Sequence, residues 1–258
     1  MLSIGLVQLD GDATIGLAAA ARRHPGISVQ SVAADGDLPQ DVDAVIVEAP
    51  VASRTQIVKR FSSVASVLTE SPINTDNEQV VSVNPLRYAL HTRRLIEEVR
   101  HNENLLETIF VGYRFRRASA QLAHALDLVQ ALQPGEIEHV ASLERDNPSL
   151  MLASLRYSSG TLVSLELGNH LPAGFPSDEE LVVECFSNER AYHCMPGNQS
   201  VSSVGARTKR VDWQPDVADA MVAAFVDWLN GGSRPPGTGR DDLIALELAE
   251  RIRNAARS

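Results

Sequence analysis

The chain predicts an α/β fold followed by an α+β region: an N-terminal Rossmann-like parallel sheet with helices on both faces, then a domain with a large, mainly antiparallel open sheet. Three observations carry this. Over the first 70 residues, short and nearly continuous apolar runs alternate with helical stretches, as in strands covered on both sides. In the second half, strand-like segments follow one another through turn-rich pairs such as Ser159-Gly160, the pattern of an antiparallel sheet. Two helical segments then close the chain.

Taken in order, "LSIGLVQL" is a short buried strand, "TIGLAAAARRH" a helix, "GISVQSVAA" a second strand and "DAVIVEAP" a third. "SRTQIVKRFSSV" is the next helix, "SVLTESP" a short strand and "VVSV" one more strand of the same sheet. The charged helix "RYALHTRRLIEEVRH" follows, and the texture then changes. "LLETIFVGYRF" is a long strand, and "SAQLAHALDLVQAL" places leucines and alanines at helical spacing. "EIEHVASLER", "LMLASLRYSSGTLVSLELG", "EELVVECFSNERAYHCMP" and "QSVSSVG" supply the antiparallel strands. The closing helices are "DVADAMVAAFVDWLNGG" and "RDDLIALELAERIRNAA". The expected boundary separates a Rossmann-like domain, 1–84, from an open-sheet domain, 85–258.

Composition narrows the function classes. A hydrophobic content of 44% and a charged content of 22% are ordinary for a soluble globular protein. The net charge of −10 argues against a nucleic-acid surface, and "RYALHTRR" and "RFRR" read as solvated faces. Cys185 and Cys194 are the only cysteines, so a zinc knuckle is excluded and a disulfide framework is not expected. The seven histidines form no H-x-x-x-H pair, and no metal site is expected. The chain starts directly as a strand, without the features of a secretory signal, and no apolar stretch reaches the roughly 20 residues that span a bilayer. A cytoplasmic protein without membrane segments is the expectation.

The stretch "GLVQLDGDATIG" stands where a dinucleotide-binding protein carries its phosphate loop, yet it does not read G-x-G-x-x-G. The glycines of that motif permit a tight turn and a close approach of backbone to pyrophosphate. Here acidic residues, Asp10 and Asp12, stand at the entrance to the helix instead. Asp12 serves equally as a cap of an ordinary strand-to-helix turn.

Five further segments carry a resemblance. They are "AFVDWLNGGSRPPGTGRDDLIALELAERIRNAA", "SSGTLVSLELG", "VECFSNERAYHCMPGNQSV", "DVDAVIVEAP" and "VLTESP". Together they make the chain similar to the Gfo/Idh/MocA family, the glucose–fructose oxidoreductase and inositol dehydrogenase group, of which it resembles a short and degenerate member. The resemblance implies hydride transfer between NAD(P) and a carbinol carbon of a sugar or cyclitol.

Carried over residue by residue, the three loop glycines fall on Gln8, Asp10 and Ala13. Asp35 matches the acidic residue that holds a ribose hydroxyl, and also suits a turn. Pro50 matches the proline after the third strand. The family's Glu-Lys-Pro motif becomes Glu70, Ser71 and Pro72, so serine replaces the lysine that positions and polarises the reacting hydroxyl. The catalytic histidine falls on His124 and the aspartate after it on Asp127, while the aspartate before it has become Ala120. Arg87 and Tyr88 sit where the family meets its substrate, or simply start a helix.

The missing loop glycines and the missing lysine are separate losses. They favour a catalytically weakened or silent homologue with no cofactor or weakly bound NAD(P). The alternative is an active dehydrogenase using His124 as base. A remoter alternative is a scaffold or regulatory subunit of an active paralogue. A homo-oligomer, most simply a dimer through the C-terminal sheet, is expected because its strands read as apolar on both faces. A small-molecule ligand remains compatible with each reading.

Overall fold

Residues 1–88 and 215–246 form one compact unit, and residues 89–214 and 247–258 form a second. The computed structural model describes residues 1–9, 16–101, 106–115, 121–146, 149–169, 171, 179–195, 200–203, 209–210, 216–235 and 237–257. The elements begin with β1 (Leu2–Gln8), α1 (Leu17–Arg23), β2 (Ile27–Ser31), β3 (Ala44–Glu48) and α2 (Val51–Phe61). Next come β4 (Ser66–Glu70), β5 (Val80–Val83), α3 (Pro85–Tyr88), α4 (Leu90–His101), β6 (Thr108–Phe115) and α5 (Gln121–Leu132). Then follow β7 (Ile137–Asp146), β8 (Ser149–Tyr157), β9 (Leu162–Gly168), β10 (Glu179–Phe186) and β11 (Ala191–Met195). The last are β12 (Ser200–Ser203), β13 (Lys209–Arg210), α6 (Val217–Leu229) and α7 (Gly239–Ala255).

The first unit holds a five-stranded parallel sheet in the order β2-β1-β3-β4-β5. Strand residues point alternately to the two faces, and both faces are covered. On one side Ile4, Leu6, Ala44, Ile46, Leu68 and Val81 pack with α1 and with Met221, Val222 and Phe225 of α6. On the other, Val7, Val45, Val47 and Val67 pack with Ile57, Val58 and Phe61 of α2. Each such side chain taken fully from water contributes roughly 1.5–3 kcal/mol, so the near-continuous apolar strands are explained. Because β1 pairs with both β2 and β3, the strand order reverses at β1. The carboxyl ends of β1 and β3 therefore border the switch-point crevice where open α/β sheets bind ligands.

The linear boundary expected after residue 84 meets a chain that leaves the first unit after Tyr88 and supplies it again with residues 215–246. This return brings α6 onto the sheet beside α1. Arg23 of α1 ties to Asp219 (2.6 Å) and Asp216 (3.5 Å), with all three side chains about half exposed.

The second unit holds an eight-stranded sheet in the order β13-β12-β11-β10-β6-β9-β8-β7. Every neighbouring pair is antiparallel except β6 with β9. The β8–β9 hairpin closes at Gly160, whose φ of 92° suits a residue without a side chain. Helix α5 packs on β6, and α4 on α5, β11 and β12. One face is apolar and buried, with Val111, Tyr113, Leu155, Val163, Leu165, Val183 and Cys185.

The sequence reading of strands apolar on both faces is corrected here. On the open face, exposed Leu152, Leu162 and Phe186 alternate along and across the strands with Ser154, Arg156, Ser164 and Glu166. The period of two leaves leucine and charge side by side on that face. Strand β13 was not anticipated from the sequence. No described helix is long and apolar enough to cross a membrane.

Candidate functional site

The switch-point crevice of the first unit is bridged by side chains of the protein itself. Gln8 ends β1 and Glu48 ends β3, paired in register. Glu48 Oε2 accepts the N–H of Ala18, in the first turn of α1, at 2.7 Å. Its Oε1 accepts from Gln8 Nε2 at 3.3 Å, and Gln8 Oε1 in turn accepts from Arg22 at 3.0 Å. The α1 N-cap is Gly16, with φ 80° and no side-chain cap. The carboxylate on the helix's first turn thus comes from the end of β3, 30 residues away in sequence. Asp10, Ala13 and the cap expected at Asp12 lie outside the described residues.

Asp35 is exposed in the turn after β2, where Gly36 donates to the carbonyl of Ala33. Pro50 is the N-cap residue of α2, its carbonyl accepting from the backbone of Ser53 and Arg54.

The segment Glu70–Ser71–Pro72 leaves the end of β4 with a cis Ser71–Pro72 peptide. Its polar backbone is held from several directions. Ser71 N–H donates to the carbonyl of Val83 at 3.0 Å. Arg54, only 2% exposed, donates from Nη1 to the carbonyls of Ser71 (2.8 Å) and Glu70 (3.1 Å). Its Nε donates to the carbonyl of Ala49 at 3.0 Å, and Nη2 meets the Glu70 carboxylate at 3.4 Å. Burial lowers the Arg54 pKa, opposed by the nearby carboxylates of Glu70, Asp242 and Glu48. A guanidinium in a protein is a cation. Asp242 completes the frame. Buried in α7, it accepts from Ile73 N–H at 2.8 Å and from the Ser82 hydroxyl. The Ser71 side chain is itself 2% exposed.

Arg87 pairs with Asp241 at 3.3 Å and is largely buried. Asp241 also accepts from Thr238 N–H, and Thr238 Oγ1 accepts from Asp241 N–H. This reciprocal pair is a capping box on α7. Tyr88 is buried in the apolar cluster that includes α6.

In the second unit, His124 and Asp127 lie three residues apart on α5, hence on neighbouring positions of one helical face. Both are buried, at 5% and 3% exposure. Ten of the twelve residues of α5 are buried, so the helix is enclosed rather than amphipathic. Cys185 and Cys194 are free, buried thiols on neighbouring strands, pushed up to about 12 chiefly by burial. They are therefore neutral and poor nucleophiles near pH 7. Among the described residues, no group of three or more metal-ligating side chains stands together.

The described contacts therefore join Gln8 to α1 through Glu48, and Glu70 to Ser71 through Arg54. Glu48, Arg54 and Asp242 were not picked out from the sequence. Arg54 did leave a signal: it stands at i with Ile57, Val58 and Phe61 at i+3, i+4 and i+7, on the buried stripe of α2. Glu48 ends an otherwise apolar strand at its ligand-facing edge.

No family model matches the chain, and no curated protein matches it. Solved structures do. UDP-N-acetylglucosamine 3-dehydrogenase GnnA from Acidithiobacillus ferrooxidans is similar with a TM-score of 0.78 at 14% identity, covering 98% of this chain and 97% of that one. The myo-inositol dehydrogenase from Corynebacterium glutamicum gives 0.76 at 18% identity, covering 99% and 96%. GenD2 from gentamicin A biosynthesis, in complex with NAD, gives 0.75 at 16%, covering 100% and 94%. The chain has the fold of the Gfo/Idh/MocA-type dehydrogenases.

Proposed function

We propose that this chain is a Gfo/Idh/MocA-type oxidoreductase homologue whose dehydrogenase chemistry is weakened or silent, and which retains the fold, self-association and room for a small ligand. The observation that carries the proposal is the state of position 71. A buried serine stands where hydride transfer wants a cation to polarise the reacting hydroxyl. The Arg54 guanidinium against that loop has each of its nitrogens engaged by Ala49, Glu70 or Ser71. A guanidinium also holds its protons too tightly to relay one.

Cofactor binding is weakened on separate grounds. A dinucleotide phosphate does not fit beside a glutamine side chain at the first loop position and a carboxylate already on the first turn of α1. The experiment is a melting scan with NADH or NADPH at millimolar concentration. A ligand at 100 times its Kd stabilises by about 2.7 kcal/mol. The expected result is no shift, and a saturable shift with either nucleotide defeats the proposal.

A second reading, an active dehydrogenase on a sugar or cyclitol hydroxyl, is supported by one observation: His124 and Asp127 still share a face of α5. A panel of sugars and cyclitols with NAD(P) decides it, since turnover present in wild type and absent in His124→Ala belongs to that reading alone. Self-association through the open sheet face is supported by exposed Leu152, Leu162 and Phe186. A dimer is expected in sedimentation at micromolar concentration.

A further inference from the structure

We propose that Glu48 is the residue that sets the anion specificity of the β1–β3 crevice: its carboxylate stands in for a ligand phosphate and thereby excludes one. The inference rests on the reading of weakened cofactor binding and gives it a cause at a single side chain. Three contacts place the group. Glu48 Oε2 accepts Ala18 N–H at 2.7 Å, a length typical of a charge-assisted bond. Its other oxygen is held by Gln8, and Gln8 is held by Arg22. The β3 backbone at this point is fixed as well, because Leu9 N–H donates to the carbonyl of Glu48 at 2.9 Å. The carboxylate is therefore steadied from β1 as well as from α1.

The crevice at a strand-order reversal is where open α/β sheets take their ligands. In this unit that crevice already contains one full negative charge, hydrogen-bonded to a donor that an incoming phosphate would need. A second anion there meets both a like charge and a donor already taken. The contacts that carry this effect join Glu48 of β3 to Gln8 and Ala18, and Gln8 to Arg22. A neutral ligand such as a polyol meets no such repulsion.

The test uses inorganic pyrophosphate as probe, with affinity read from the shift in melting temperature of the full chain at constant ionic strength. Glu48→Gln keeps the size and an acceptor oxygen for Ala18 N–H while removing the charge, and so retains the fold. Its pyrophosphate affinity is expected to rise at least threefold over wild type. Glu48→Ala also vacates the space, and a rise of tenfold or more is expected. Unchanged affinity in Glu48→Gln overturns the proposal, whatever Glu48→Ala does. The functional reading is judged separately, by NADH on wild type. If wild type binds NADH, that reading fails, whereas the role of Glu48 is decided only by the ratio of variant to wild type.

Discussion

Two arginines, one in each unit, make the most instructive comparison in this molecule. Arg54 and Arg114 both lie near more than one carboxylate, and both donate through more than one nitrogen. Arg54 is 2% exposed, beneath the Glu70–Ser71 segment, and most of its bonds go to backbone carbonyls. Arg114 sits on the open face of the second sheet with its side chain 42% exposed, bridging Glu166 (3.2 Å) and Glu180 (3.1 Å). Similar charge pairing in different solvent environments should differ severalfold in its weight on stability. What a charge does here is set by what replaces its water.

The largest expected effect follows from breaking the buried side of that comparison. Arg54→Met keeps most of the volume but removes the buried donor that reaches the Glu70 carboxylate and the carbonyls of Ala49, Glu70 and Ser71. Removing one partner of a buried pair costs about 3–5 kcal/mol. Urea denaturation should show a loss of that size, with the midpoint lowered and the slope unchanged.

Alkaline pH sharpens the comparison within the second unit. The folded-state pKa values of Cys185 and Cys194 lie at about 12, above the ordinary value of 9.0. Their contribution to stability is therefore complete below about pH 9 and is lost as pH climbs toward 12. While the folded thiols stay neutral, the loss is about 1.4 kcal/mol per pH unit and thiol. A Cys185→Ala, Cys194→Ala double variant should flatten the alkaline limb of a stability–pH curve. In wild type at pH 8, native thiols should resist alkylation until the chain unfolds.

His124→Ala removes packing and a polar group from an enclosed helix. It is expected to cost about 1 kcal/mol, measured by the same denaturation. Arg114→Ala is the smallest effect, below about 1 kcal/mol and shrinking further at high salt, since exposed pairs are screened. A loss from Arg114→Ala as large as that from Arg54→Met would break the comparison outright.

The sequence made much of this legible, and for physical reasons. The parallel sheet could be read because strands covered on both faces must be apolar nearly throughout, as "AVIV" in β3 is. The serine at position 71 was legible because it stands in a fixed frame between Glu70 and Pro72. What holds that loop was not, because the acceptors of Arg54 are backbone carbonyls, which every residue carries. Glu48 capping α1 was hidden for a similar reason: its partner is an N–H, and the contact spans 30 residues of chain. Open-face leucines misled, since the strands read as apolar on both sides until the pairing sets Leu152 against Glu166 and Leu162 against Arg156 across β8 and β9.

The return of residues 215–246 to the first unit also has a consequence in time. Chains are made from the amino end, and domains tend to fold as they emerge. Here β1 to β5 emerge early, but α6, which covers Ile4, Leu6 and Ile46, comes only after residues 89–214 of the second unit have been synthesised. Until then one face of the nascent sheet is covered by α1 alone, and the rest is an apolar surface on offer to chaperones or to another nascent chain. A ribosome stalled after β5 has emerged and before residue 215 would hold a first unit that has all of its strands and lacks one of the helices that cover them.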